Sequence, residues 1–166
     1  MIPEREIEER LKAKFAAALA ATRNAASIRA VGFWDVAADG EVKGEGDASD
    51  VVLAVATGIR AYDSFCSPQA DFRCSAVLTV RRDACPTGAT LAALLEPLLD
   101  LVHRWNEDAD AVFDDLTTDR FSPGGFMLSG GDRTQDADAW TVSLDFTLRG
   151  VITPAPAASS TTNESE

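Results

Sequence analysis

The sequence predicts an α+β protein, in which an antiparallel, meander-like sheet of about four or five strands carries two helices packed on one face. Three observations support this fold class. The run WTVSLDFTLRGVI, residues 140–152, alternates apolar and polar residues, as in a strand with one buried face. Two other segments repeat apolar residues at the spacing of an amphipathic helix. Shorter segments of strand composition are separated by turn-rich connections.

The first predicted helix begins at Pro3, which suits a first-turn position, and fades near Asn24. The glutamates that follow Pro3 lie where the positive end of the helix dipole favours acidic side chains. Its apolar stripe recurs every fourth residue and consists of Ile7, Leu11, Phe15 and Leu19. The second helix follows the break at residues 86–88 and has a wider apolar face, formed by Leu91, Leu94, Leu95, Leu98, Leu99, Val102 and Trp105. Pro97 lies inside this helix and is expected to bend it.

The predicted strands before the second helix cover residues 27–36, 51–57 and 73–82. In the last of these, Cys74, Ala76, Leu78 and Val80 share one face. The first two strands are joined by a polar loop, and the last two by a connection with unusually large side chains: Tyr62, Phe65 and Phe72. These aromatic residues either fold back onto their own domain or dock on a neighbour.

The chain after the second helix is predicted to form an acidic connection, NEDADAVFDDLTTD, and then a hairpin. The hairpin joins FSPGGFMLSGGD to the final long strand, with GGDRTQDAD at or near its turn. Residues 1–152 form a single α+β domain. Residues 153–166 are proline-rich, small and polar, and are predicted to form a flexible C-terminal tail.

The charge of the chain excludes some partners. Its net charge is −12 and its isoelectric point is near 4.4, which argues against a surface that grips nucleic acid or an anionic membrane. No apolar run approaches the length of a membrane span, and the charged N-terminus lacks the apolar stretch of a secretion signal. The sequence therefore predicts a cytosolic protein with no membrane partner.

No catalytic residue is predicted. The only histidine, His103, lies beside the apolar face of a helix, where a rim or core position is the usual explanation. No GxSxG elbow surrounds a serine. The three cysteines form no CxxC pair and are interpreted as structural thiols, although the sequence leaves open a cysteine–histidine pair that uses Cys66 or Cys85.

No metal or cofactor site is predicted either. The acidic stretch from Asp108 has phenylalanine and aspartate where a calcium-binding EF-hand loop needs glycine and glutamate, so a solvated connection is the interpretation. The paired glycines at 124–125 and 130–131 lack the lysine and helix of a phosphate-binding loop. They are better explained as turn and bulge positions. Trp34, Trp105 and Trp140 are interpreted as core residues.

The order of these elements resembles the tail terminator (tail completion) proteins of long-tailed bacteriophages. The resemblance extends from the first helix to Gly150 and is carried by IRAYDSFCSPQADFRCSAVLTVR, LLEPLLDLVHRW, DDLTTDRFSPGGFMLSGGD and AWTVSLDFTLRG. The resemblance rests on the order of the elements and on the type of residues in these segments, and it includes no invariant motif. It implies a structural virion protein without enzyme activity, cofactor or catalytic residues.

The resemblance also implies partners and a location. Such proteins form a ring, commonly a hexamer, at the head-proximal end of the tail tube, where the ring ends tube polymerisation and meets the head-completion proteins. The expected location is thus the tail–head junction of a virion assembled in the bacterial cytoplasm. DNA would pass through an acidic lumen without specific binding, since like charges repel. The uncovered face or edges of the sheet would line that channel or bind the adjacent subunit.

The residues expected to contact partners come from the aromatic connection and from the approach to the hairpin: Tyr62, Phe65, Phe72, Arg120, Phe121 and Phe126. Two other functions stay open. One is a different neck component, a head–tail connector or stopper. The other is a small cytosolic enzyme or ligand-binding domain with a cleft beside His103.

Overall fold

The computed structural model describes residues 2–21, 27–35, 50–62, 65 and 67–154. Within them the chain forms three helices and a six-stranded sheet, which agrees with the α+β prediction. In chain order the elements are α1 (Pro3–Ala20), β1 (Ile28–Gly32), a short 3-10 helix (Phe33–Asp35), β2 (Val51–Thr57), β3 (Ala61–Tyr62), β4 (Gln69–Arg81), α2 (Gly88–Glu107), α3 (Ala109–Leu116), β5 (Phe121–Gln135) and β6 (Ala139–Ile152). Residues 155–166, which include most of the predicted tail, lie outside the described residues.

The sheet is not the predicted meander. Its strand order is β1-β2-β4-β6-β5, with the two-residue β3 paired beside β4. The strands β1 and β2 run parallel, while every other pairing is antiparallel. The meander prediction was wrong because strand composition carries no information about direction. It assumed instead that consecutive strands turn straight back on one another.

The long final strand is confirmed. Its fourteen residues pair with β4 on one side and with β5 on the other. Its apolar residues point to the helices and are buried: Trp140, Val142, Leu144, Phe146, Leu148 and Ile152. The strand predicted at residues 73–82 begins earlier, at Gln69, because Ala70 and Phe72 continue the same buried alternation.

The acidic connection contains a helix that the sequence analysis missed. Helix α3 begins after Asp108, whose side chain accepts a hydrogen bond from the backbone N–H of Asp110, 3.0 Å away. Val112 and Leu116 form its buried face, while aspartates occupy much of its exposed face. Its apolar pattern consists of only two buried residues among many aspartates, which is too weak a pattern to predict a helix from the sequence.

The predicted hairpin is present, but its turn is shorter than expected. Most of GGDRTQDAD belongs to β5, so the turn is limited to residues 136–138. There Asp136 accepts hydrogen bonds from the backbone N–H groups of Asp138 and Ala139. These bonds lower the pKa of the Asp136 carboxyl. Two shifts in the β5–β6 register, at Gly124 and Ser129, confirm that the glycine-rich segment contains bulges.

A single core lies between the helices and one face of the sheet. At its centre four aromatic rings pack together: Phe15 of α1, Trp105 of α2, Phe126 of β5 and Phe146 of β6. Trp105 and Trp140 are buried, as predicted, whereas Trp34 is 38% exposed. The prediction for Trp34 was wrong because the chain leaves the sheet at Gly32 and the 3-10 helix turns the indole outward.

Candidate assembly surfaces

The positions of the histidine and the cysteines bear on the enzymatic alternative. His103 has an exposed side chain whose Nε2 lies 3.4 Å from a carboxylate oxygen of Glu107, one turn along the same helix. Cys74 and Cys85 are free and buried. Burial raises the pKa of the Cys74 thiol to about 12 and also raises the pKa of Cys85. Both thiols are therefore protonated at neutral pH, while Cys66 lies outside the described residues.

Among the described residues, no group of three or more histidine, cysteine, aspartate or glutamate side chains could hold a metal ion. A groove of about 1000 Å³ lies between the first half of α2 and the distal half of β5. Alanine and leucine residues make up about half of its lining, which also includes Glu96, Asp100 and Arg133 but not His103. The groove therefore combines apolar side chains with a few charged ones.

A cluster of exposed apolar side chains lies at the end of the sheet where β1 and β2 finish and β4 begins. Its members, which we call the end patch, are Ile2 (43% exposed), Phe33 (61%), Trp34 (38%), Ile59 (89%), Tyr62 (49%) and Phe65 (97%). The rings of Phe33 and Trp34 pack edge to face, with centroids 5.1 Å apart. Several large apolar side chains exposed at one end of a domain are typical of a surface that meets a partner.

A buried carboxylate holds the backbone beneath the end patch in place. Glu8 of α1 is 1% exposed, and its two oxygens accept hydrogen bonds from the backbone N–H groups of Trp34 (3.1 Å) and Thr57 (3.3 Å). Burial raises the pKa of Glu8, and the backbone hydrogen bonds partly oppose that rise. A side chain at Gly32 would overlap this carboxylate, so the glycine is needed for the approach. Glu8 thereby ties α1, the 3-10 helix and β2 together.

A second glutamate fixes the chain next to the patch. Arg60 donates two hydrogen bonds to Glu4, with Nε–Oε1 and NH2–Oε2 distances of 2.6 and 2.7 Å, and a third to the hydroxyl of Tyr62. Burial by itself raises the pKa of Glu4, but the hydrogen bonds and charge of Arg60 outweigh burial and leave that pKa below its ordinary value. The pair anchors the segment that carries Ile59 and Tyr62.

Replacing Arg60 with methionine is expected to lower the free energy of unfolding at pH 7 by about 1–2 kcal/mol, because Glu4 would stay buried without its partner. The loss should shrink in acid. The lowered pKa of Glu4 means that the pair stabilises the fold above the ordinary value of 4.5, and that this contribution disappears as the pH falls through the folded-state pKa. Urea unfolding at pH 7 and pH 3 measures both values. Arg5→Met is the control, since its ion pair with Glu9 is exposed.

The structure places the six predicted interface residues in three environments. Tyr62 and Phe65 are exposed in the end patch. Phe72, Phe121 and Phe126 instead lie in the core, where the rings of Phe72 and Phe121 pack edge to face and Phe126 stacks on Phe146. These three side chains are therefore not available to a partner.

Arg120, the sixth predicted interface residue, is half-buried, and its Nε lies 3.4 Å from the carbonyl oxygen of Thr153. Phe33, Trp34 and Ile59 of the end patch were not among the predicted interface residues. Ile59 lies in the same connection as Tyr62 and Phe65, so the exposure predicted for those two side chains was the available signal for it.

The face of the sheet opposite the helices is uncovered over the described residues, and we call it the open sheet face. Its centre is made of small, hydroxyl and β-branched side chains: Val52, Ala54, Ala56, Ser75, Val77, Thr79, Thr141, Ser143 and Thr147. Arg149 of β6 and Asp71 of β4 form a bidentate pair across it, with distances of 2.7 and 3.0 Å. This pairing lowers the pKa of Asp71.

The open sheet face is not acidic. Its described charged residues are Arg29, Arg73, Arg81 and Arg149 against Asp50, Asp71, Asp132 and Asp145, so the two signs balance. The negative charge collects instead on helices α2 and α3 with the residues around them, 88–119, which hold eight carboxylates and one arginine. We call this region the acidic helical layer. An acidic lumen formed by the open sheet face is therefore inconsistent with the charges found there.

No helix within the described residues combines the length and the apolar character needed to cross a bilayer. Comparison of the chain with models of known protein families gives no match, and comparison with curated proteins gives none either.

Proposed function

We propose that this protein is a structural virion subunit. It forms a ring at the head-proximal end of a bacteriophage tail tube, ends tube polymerisation and joins the tail to the head. The end patch is the observation that supports this role most directly. It places large apolar side chains at one end of the subunit, on a backbone fixed by Glu4 and Glu8. A rigid apolar end suits a subunit that must seat on another protein.

The proposed partners are those that the resemblance implies. The end patch contacts the last ring of the tail tube protein or a head-completion protein, and the sides of the subunit contact other copies, six in a closed ring. DNA passes through the ring without specific binding, which the net charge of −12 supports. The role needs no cofactor and no catalysis, and the location is the tail–head junction.

Deletion of the coding sequence from the phage genome is expected to give tails that are overlong or unattached to heads, because nothing would stop the tube or bridge it to the head. Negative-stain electron microscopy of lysates measures tail length and attachment. Tails of normal length on filled heads would contradict the proposal. Heads that release their DNA beside normal tails would instead identify a stopper.

Complementation of that deletion tests the end patch itself. A plasmid copy with Ile59→Asp and Phe65→Asp should fold, because both side chains are exposed, yet fail to restore attached tails. Ala13→Asp, at an exposed position of α1 outside the patch, is the matched control and should restore them fully. Full rescue by the patch variant would show that the end patch is not the contact surface.

A further inference from the structure

The two opposite faces of this subunit differ in charge. The acidic helical layer carries seven more negative than positive charges, whereas the described charged residues of the open sheet face, four arginines and four aspartates, give no net charge. Helix α1, which lies on the same side as the acidic layer, has four glutamates and four basic residues and contributes no net charge. The asymmetry therefore belongs to α2 and α3 and points away from the sheet.

Part of this charge has no partner among the residues that the structure describes. Asp115 is engaged, since it accepts a hydrogen bond from the indole N–H of Trp105 and faces Lys14 and Arg104. By contrast, Glu96, Asp100, Asp110 and Asp114 are exposed. On the open sheet face, the guanidinium of Arg73 is exposed and is in no ion pair or hydrogen bond with any of the residues that the structure describes.

The two faces also differ in the size of their side chains. Leu99 (43% exposed) and Phe113 (49%) protrude from the acidic helical layer. Among the described residues, the centre of the open sheet face has no large apolar side chain, and a trough of about 620 Å³ lies there between Arg73, Ser75, Asp145 and Thr147. Exposed apolar residues on an acidic surface, and small side chains with arginines nearby on the opposite surface, are compatible with an interface that has an apolar core and a polar rim.

The available area is sufficient for a stable contact. Helix α2 has twenty residues and is about 30 Å long, and β4 has thirteen residues and is about 43 Å long. Five strands about 4.8 Å apart make the open sheet face about 20 Å wide. Multiplied by the length of β4, this width gives an area of roughly 800 Å². A standard interface takes about 800 Å² from each partner.

We propose that copies of this chain associate head to tail, with the acidic helical layer of one copy docked on the open sheet face of the next. The two surfaces are different, so the contact is heterologous, and repeated rotation by one angle closes such contacts into a ring. The inference rests on the proposed ring and identifies which faces of the subunit build it. The end patch stays free for the tube or head.

The test uses two charge variants and their mixture. The sheet variant is Arg73→Glu, and the helix variant combines Asp110→Lys with Asp114→Lys; all three positions are exposed. Sedimentation velocity at low salt is expected to show association of the unaltered chain and at least tenfold weaker association of either variant alone. An equimolar mixture should recover to within about threefold, because each reversed face then meets its complement. Arg5→Glu is the control for net charge and should associate normally.

Several results would overturn the inference. These are a monomeric unaltered chain at about 200 µM, variants that associate like the unaltered chain, a mixture that stays dissociated, or association that does not weaken between about 50 and 500 mM salt. Each leaves the tail phenotype of the deletion unaffected. Loss of this inference is therefore distinguishable from loss of the proposed function.

Discussion

Glu8→Ala is expected to lower the free energy of unfolding by about 3 kcal/mol, because it leaves the part-buried backbone N–H of Trp34 and the buried backbone N–H of Thr57 without their acceptor. The two N–H groups belong to different elements, so the substitution also loosens the join between α1, β2 and the 3-10 helix. Urea unfolding followed by tryptophan fluorescence measures the change. The neighbouring Glu9→Ala removes an exposed carboxylate and should alter stability by less than about 0.5 kcal/mol. Equal effects of the two substitutions would contradict the role of Glu8.

The pH dependence of Glu8 has the opposite sign to that of Glu4. Burial raises the pKa of Glu8 above its ordinary 4.5, so the folded state binds the proton more tightly than the unfolded state does. The stabilisation due to that proton is complete below about 4.5 and is lost as the pH rises through the folded-state pKa. Glu8→Gln carries no titrating proton. The stability of the unaltered chain relative to this variant should therefore fall between pH 4 and pH 7, and a constant difference would contradict the assignment.

Gly150→Ala should destabilise the fold by about 3 kcal/mol, at the upper end of ordinary overpacking. A Cβ at this position would overlap the carbonyl oxygen of Ser122 and lie 2.7 Å from ring atoms of Phe121. Neither group can move easily, since one is backbone in the paired strand β5 and the other is a fully buried ring. Relief requires the two strands of the hairpin to separate where it meets the core.

The same hairpin supplies the control. Gly125 lies in β5 close to Gly150, but a Cβ there would have no neighbour within 4 Å. Gly125→Ala is therefore expected to stay within about 0.5 kcal/mol of the unaltered chain. Thermal unfolding of both variants separates steric overlap from a general intolerance of side chains in this strand. Similar melting temperatures for the two variants would refute the overlap argument.

The elements predicted correctly are those whose periodicity is local. Strand β6 alternates over its whole length, and α2 repeats leucines over five turns, so each pattern identifies its element without knowledge of the partners. Burial of one complete face then follows, because apolar side chains lie on it. The α+β class required nothing more.

The remaining features depend on contacts between distant segments. The parallel pairing of β1 with β2 is a choice of direction that neither strand encodes. Helix α3 has only two fully buried residues, Val112 and Leu116, too few to reveal a stripe among aspartates. Trp34 is exposed because the chain bends after Gly32, a bend set by the carboxylate of Glu8.

The candidate surfaces were predicted only in part. Large side chains in the aromatic connection indicated Tyr62 and Phe65 correctly as exposed residues, but Phe72 continues the buried alternation of β4. The anchors Glu4 and Glu8 were assigned to the helix dipole alone. A signal for their burial was present, since Glu4, Glu8, Leu11 and Phe15 fall at successive spacings of three or four on one helical stripe.

The bulges of β5 have a consequence for how this protein avoids self-templated fibres. A fifteen-residue strand at the border of a sheet is a hazard, because a straight strand from another molecule can align along it. The extra residues at Gly124 and Ser129 interrupt the straight strand twice. Between them, the backbone N–H of Leu128 donates a hydrogen bond to the side-chain carbonyl oxygen of Asn106. The exposed border is thus irregular and partly blocked. Concentrated solutions should form defined assemblies in preference to amyloid.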